Sequence, residues 1–249
     1  MDLEREGWYS FHKELPFVPF RNIPRGATPK ADGTARPTSE LGAPRTPVFD
    51  REGGEIISQN TAIGMCQWER EIKPTMGEFM QALAVLSGMA SLAGEPVFFF
   101  SDDMHKMFNQ LKLAPEQLWA VGSLLAGESG DPLWASERVM PFGVKCGSYI
   151  AQGWAHLLLF LVRITVDNME EASKESNKVL EKLLQARAER WSSKEQKAAY
   201  YAVMFTDDSA TAVIGTQRMI RFLMAWHEVV TRFNIMMAPP RKRQLGCRL

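Results

Sequence analysis

Two apolar runs in this chain end on carboxylates, and that pairing restricts the fold more than any other feature. The first is Val97-Phe98-Phe99-Phe100-Ser101-Asp102-Asp103. The second is Tyr200 to Phe205, which passes through Thr206 into Asp207 and Asp208. Short apolar runs rich in aromatic and β-branched residues read as strands with at least one buried face. Acids at the ends of such strands repel each other and resist partial burial unless they are paired or metal-bound. The second run continues into Ser209–Gly215, so Asp207 and Asp208 stand at the tip of an expected hairpin.

Helical patterns surround these strands. Thr75 followed by Glu78 is a capping box, Gly94 supplies a stop, and Met76, Phe79, Met80, Leu83, Leu86, Met89 and Ala90 make one apolar stripe. The sequence WAVGSL (Trp119–Leu124) and PLWASERVM (Pro132–Met140) flank a glycine-bearing turn and read as a hairpin. Cys146–Val166 is apolar nearly all round, which predicts a deeply buried helix. Asn168–Arg190 is charged, with Glu170 and Lys174 at supportive spacing, and is expected to be a solvated helix or excursion. A closing helix over Gln217–Phe233 carries Met219, Ile220, Leu223, Trp226, Val230 and Phe233 on one side. Strands in antiparallel hairpins together with long helices imply an α+β domain, a sheet with helices on one face.

Residues 1–60 are rich in proline, glycine and arginine. Prolines at 24, 29, 37, 44 and 47 limit Arg21–Pro47 to short strands and loops, or to a flexible leader. Lys plus Arg equals Asp plus Glu at 29 each, so net charge points to no polyanion, although Arg241–Arg248 is locally basic. Cys66, Cys146 and Cys247 are odd in number and far apart, which suits a reducing compartment. The four histidines form no zinc-spaced pair. The charged N-terminus reads as no secretory signal, and Trp154–Ile164 is shorter than the ~20 apolar residues a bilayer span needs. The expectation is an intracellular protein, cytoplasmic or nuclear, with no membrane association.

If neighbouring strands bring Asp103 beside Asp207 and Asp208, three carboxylates without histidine or thiolate make a hard oxygen site. Such a site favours Mg²⁺ or Mn²⁺. Two such ions about 3.5–4 Å apart can activate a hydroxyl and stabilise a leaving phosphate oxygen, the chemistry of nucleotidyl transfer. Taken alone, an Asp-Asp pair in a hairpin reads as turn chemistry; two acidic strand ends in order around a hairpin and a buried helix shift the balance toward a site.

Several blocks then point one way in order. Phe100–Glu116 (FSDDMHKMFNQLKLAPE) holds Asp103, Phe108, Gln110 and Pro115-Glu116. Met140–Gln152 reads MPFGVKCGSYIAQ, and Phe205–Ser209 reads FTDDS. Thr28–Pro37 (TPKADGTARP) and Ala238–Gly246 (APPRKRQLG) bracket them. From about residue 24 onward the chain resembles the fingers and palm of a retroelement reverse transcriptase, an RNA-directed DNA polymerase.

That resemblance implies a right-hand polymerase palm, an antiparallel sheet backed by helices, with a partial fingers subdomain and no thumb. It implies a leader over 1–23, a fingers-like segment with the first palm helix over 24–96, and palm over 97–249 with the charged excursion at about 168–190. Asp103, Asp207 and Asp208 would be catalytic and would hold two Mg²⁺ (or Mn²⁺) ions. Asp102 would face the other side of its strand. Phe108 would gate against a 2′-hydroxyl, Lys30 and Arg36 would grip the triphosphate, and Phe142, Gly143, Lys145 and Gln152 would line the nucleotide or template. Lys242 would protonate the leaving pyrophosphate or contact backbone phosphate. The partners would be an RNA or DNA template with primer, and deoxynucleoside triphosphates.

Cys146 stands where the family usually has Asn, and Thr206 is unusual before Asp-Asp. The chain stops where a thumb would begin and carries no ribonuclease H segment, so a polyprotein fragment is expected. The alternative is a catalytically inactive reverse-transcriptase-like domain that binds nucleic acid.

Overall fold

Thr75 accepts from the amide of Glu78 while the Glu78 carboxylate accepts from the amide of Thr75, so the capping box closes. Helix α2 (Met76–Ala93) starts there and ends on Gly94 in the left-handed conformation, as the spacing predicts. The computed structural model describes residues 4–29, 31, 33, 35–63, 73–173, 177–191 and 198–248. The chain divides into two compact units: Met1–Arg70 with Lys106–Ile150, and Glu71–His105 with Ala151–Leu249.

The first unit holds strands β1 (Tyr9–His12), β2 (Arg25–Pro29) and β3 (Ala35–Ser39), and the short helix α1 (Gln59–Ala62). Its antiparallel sheet takes β1 together with β5 (Gly122–Ala126) and β6 (Pro132–Glu137), in the order β1-β6-β5, while β2 and β3 form a separate hairpin. Helix α3 (Met107–Gln110) also belongs here. The expected hairpin around Ala126–Asp131 is present, but Trp119–Val121 lies in a 3₁₀ turn rather than in a strand. Residues 1–23 are not merely a leader. Tyr9 pairs opposite Glu137 across β1 and β6, and Trp8 and Tyr9 are buried.

The second unit is a four-stranded antiparallel sheet ordered β7-β8-β4-β9, from β4 (Val97–Asp103), β7 (Tyr200–Phe205), β8 (Asp208–Ile214) and β9 (Gln244–Arg248). Strand alternation sorts its two faces. Val97, Phe99, Val203, Ala212 and Ile214 pack with Phe79, Leu86, Met89 and Ala90 of α2. Leu180 and Leu184 of α5 (Lys178–Trp191) complete the same cluster. Phe100 and Tyr200 on the opposite face meet Phe222 of α6 (Thr216–Arg232), and Phe100 also meets Trp226. Helices therefore cover both faces, not one. The fold is α+β.

Three further expectations change. The charged stretch is no solvated excursion: residues 168–171 finish α4 (Gly147–Glu171), and α5 buries Leu180, Leu184 and Ala188. Glu170 pairs with Arg218 and Arg221 of α6 at 3.4 and 2.6 Å, while Lys174 lies outside the described residues. Helix α4 is buried on one side only. Ala155, Leu158, Leu159, Val162 and Val166 face the core, whereas Leu157, Phe160 and Ile164 face out. Both α2 and α4 are long and apolar enough to cross a membrane by length and composition, yet each lays one side on this core. In α6 the buried face runs through Phe222, Ala225 and Val229, which leaves Ile220 and Phe233 exposed.

Candidate functional site

The acidic strand ends meet. Strands β4 and β8 are neighbours, and their register sets Asp103 directly opposite Asp208. Opposed residues on adjacent strands have Cβ atoms about 4.5–5.5 Å apart, and like charges there are destabilising. Asp207 occupies the two-residue turn between β7 and β8, because Phe205 pairs with Asp208 across it. Its carbonyl accepts from the Met104 amide at 2.9 Å, which ties the turn to the end of β4.

That turn is strained and then clamped. Thr206 has φ 62°, in the left-handed region that β-branched residues avoid. The buried amide of Gln152 holds it: Nε2 donates to the Met204 carbonyl at 2.9 Å, and Oε1 accepts from the Thr206 amide at 3.0 Å. Arg163 donates to the Ala202 carbonyl at 3.1 Å in the same way, so α4 serves the outer edge of β7. As it stands, Gln152 acts on the hairpin that carries Asp207. The resemblance had assigned it to nucleotide or template, and the structure gives that amide other partners.

The electrostatics are lopsided. Burial raises the Asp208 carboxyl above its ordinary value, and the charges of Asp207 and Asp103 raise it further against Lys242. Asp208 is nonetheless exposed to solvent, which screens these effects. The Lys242 ammonium sits 2.6 Å from Oδ2 of Asp103. The hydrogen bond and charge of Asp103 hold the Lys242 ammonium above its usual range. Among the described residues, Lys242 is thus a cation close to these three acids.

Asp102, next in the chain, points the other way. Its side chain is fully buried, and Oδ2 accepts from Trp226 Nε1 at 3.2 Å and from Arg243 Nε at 3.1 Å. The alternation expected of a strand is borne out here, and with the Asp103 amide on Oδ1 at 3.0 Å this carboxylate has three donors.

The donor chemistry of Asp103, Asp207 and Asp208 suits a hard divalent cation. Their side chains do not form a closed chelate: among the described residues, no three His, Cys, Asp or Glu groups are disposed to hold a metal ion.

The remaining expected residues belong to the first unit. Phe108 and Phe142 meet edge to face at 5.4 Å, with Phe142 largely exposed. Gly143 has φ 94°, which favours glycine, and its carbonyl accepts from Asn60 at 3.1 Å. Asn60 Oδ1 also accepts from the Lys145 amide at 2.8 Å, and Lys145 Nζ reaches the Asn60 carbonyl at 3.4 Å. Asn60 therefore shapes the Pro141–Lys145 loop. No motif singled it out, because its partners are more than eighty residues away. Arg36 lies in β3 opposite Thr28, and Lys30 falls outside the described residues.

No protein-family model and no curated protein matches this chain. A solved structure of the foamy viral protease-reverse transcriptase dRH in complex with ds DNA is similar over 95% of this chain, with a TM-score of 0.55 and 10% identity. This chain spans 29% of that one. At such identity the likeness is one of fold, distant and reverse-transcriptase-like.

Proposed function

We propose that this chain is the polymerase domain of an RNA-directed DNA polymerase, with the second unit as palm and the first as a fingers-like segment. The observation that carries the reading is the register of β4 on β8. It sets Asp103 against Asp208, with Asp207 in the adjoining turn and Lys242 on Asp103. The distant likeness to a reverse transcriptase supports it.

In this reading Asp103 and Asp207 would hold two Mg²⁺ or Mn²⁺ ions, with Asp208 assisting. When bound, those ions lower the pKa of the primer hydroxyl and neutralise the triphosphate. The clamp of Gln152 holds the Met204 carbonyl and the Thr206 amide, and so fixes the backbone of the hairpin tip that carries Asp207. Lys242 releases Oδ2 of Asp103, turns its ammonium to the leaving pyrophosphate and donates a proton there. The resemblance would give Phe108 the sugar, Lys30 and Arg36 the phosphates, and Phe142, Gly143 and Lys145 the nucleotide or template. The partners are an RNA or DNA template with primer and deoxynucleoside triphosphates, which puts the work inside a cell.

Primer extension on an RNA template, with deoxynucleoside triphosphates and either Mg²⁺ or Mn²⁺, tests the proposal. Wild type is expected to extend, and Asp103→Ala to fall by at least about 10³-fold, several kcal/mol of lost transition-state stabilisation. No extension by wild type in Mn²⁺ sinks it.

A second reading, an inactive domain that binds nucleic acid, is favoured by one observation. The Lys242 ammonium already occupies Oδ2 of Asp103, and no trio of ligands is gathered among the described residues. Tight primer–template binding that is indifferent to Mn²⁺ would select it.

A further inference from the structure

The strand that follows α6 does not run evenly along β4. Met237 pairs with Met104, and pairing resumes at Gln244 opposite Ser101. Between these points the whole segment Ala238–Arg243 stands opposite only Asp102 and Asp103. The excess chain is thrown out as an excursion containing Pro239, Pro240 and a short 3₁₀ turn over Pro240–Lys242. It returns carrying two successive cations to two successive acids. Lys242 Nζ meets Asp103 Oδ2 at 2.6 Å, and Arg243 Nε meets Asp102 Oδ2 at 3.1 Å.

Because consecutive strand residues face opposite sides, the two contacts grip β4 from its two faces. They are not alike. The Asp102 side chain is entirely buried and makes further contacts: Oδ1 accepts from the Asp103 amide at 3.0 Å, and Oδ2 accepts from the Trp226 indole. Ser209 Oγ also bridges the backbone of Asp102, accepting from its amide and donating to its carbonyl, both at 3.0 Å. Lys242, by contrast, is 58% exposed in its side chain and holds Asp103 alone. One contact is an anchor and the other can let go.

We infer that Asp102 is a positioning residue: through Arg243 it pins the end of the Ala238–Arg243 excursion to β4 and so presents Lys242 to the site at Asp103. Its carboxylate also locks the indole of Trp226, so α6, β4 and the excursion share one buried oxygen pair. The role of Lys242 in catalysis rests on the proposed function, but the anchor itself does not.

The test has two readouts. Lysines of the full chain are ¹³C-methylated, and the Lys242 signal is assigned by its loss in Lys242→Arg. Asp102→Asn places an amide N–H among donors, and Arg243→Gln removes the anchor's charge from its half-exposed side; circular dichroism of each variant checks that it folds. Both are expected to shift the Lys242 signal, and a control change at Glu228, on α6, is expected to leave it in place. In primer extension both variants are expected to lower kcat about 10²-fold with the nucleotide KM unchanged, the loss that misplacement of a group by about 1 Å brings. Combined with Lys242→Ala, either is expected to add almost nothing further, since both act through the same ammonium. A Lys242 signal that stays put in Arg243→Gln, or losses that simply add, overturns the inference. A wild type that fails to extend defeats the proposed function instead, and the methyl signal still decides the anchor.

Discussion

Two acidic strand ends of this chain are treated in opposite ways. Glu137, which ends β6, is buried yet fully served. It accepts from Arg25 Nη2 at 2.8 Å, from the Tyr9 hydroxyl at 3.1 Å and from Ser39 at 3.5 Å. Arg25 spends its other donors on Ser123, Tyr9 and Ser39, and its guanidinium lies 5.2 Å from the Tyr9 ring centre. Burial still holds the Glu137 carboxyl above its ordinary value, with Arg25 pulling it back. At the other cluster Asp103, Asp207 and Asp208 face one close ammonium. In the first arrangement the acid's charge is answered within the fold. The second has charge left over, and a carboxylate cluster short of cations is where a functional site is sought.

Removing one partner from the closed cluster should hurt most. Glu137→Ala leaves Arg25 part-buried without its counter-ion and is expected to cost about 3–5 kcal/mol, read from denaturant unfolding of the full chain. A loss below about 1 kcal/mol would mean that the cluster is no more closed than a surface ion pair. Gln152→Ala comes next. It strips the partner from the Thr206 amide and the Met204 carbonyl and is expected to cost about 1–3 kcal/mol. It should lower kcat and leave the nucleotide KM alone; a raised KM at constant kcat would restore Gln152 to the substrate.

The smallest effects concern pH, and their signs are set by the two clusters. Burial first, then Glu137, pushes the Tyr9 phenol up from 10.0 to about 12. A raised value means that the neutral form is favoured in the fold. The contribution is complete below pH 10 and lost as pH rises through about 12, so Tyr9→Phe should flatten unfolding over that alkaline window. Asp208 is likewise raised above its ordinary 3.8, so its contribution is full in acid and lost as pH climbs through its folded value. At neutral pH the ionised carboxylate is a burden. Asp208→Asn should therefore raise the melting temperature slightly without added cation, and a fall would show that Lys242 more than balances the cluster.

Much of this was legible locally. The capping box at Thr75, the stop at Gly94, both hairpins and the acids at the ends of β4 and β7 follow from residue chemistry and spacing, because those depend on neighbours a few positions away. The alternation that turns Asp102 from Asp103 follows from strand geometry alone. Periodicity was less able to say how an apolar helix divides its surface. Helix α4 shows its Leu157–Ile164 side to solvent, and α5 buries Leu180 and Leu184 although its composition reads as a solvated face.

Near-neighbour chemistry specifies an α+β chain whose apolar strands end in acids beside a basic run. The tertiary structure alone decided which groups answer which. It set Asp103 opposite Asp208, gave the hairpin of Asp207 to Gln152, shaped the Pro141–Lys145 loop with Asn60, and divided Lys242 and Arg243 between the two faces of β4. The reason is physical: local conformation depends on near neighbours, but strand register and buried hydrogen bonds are settled by partners brought together only when the core closes.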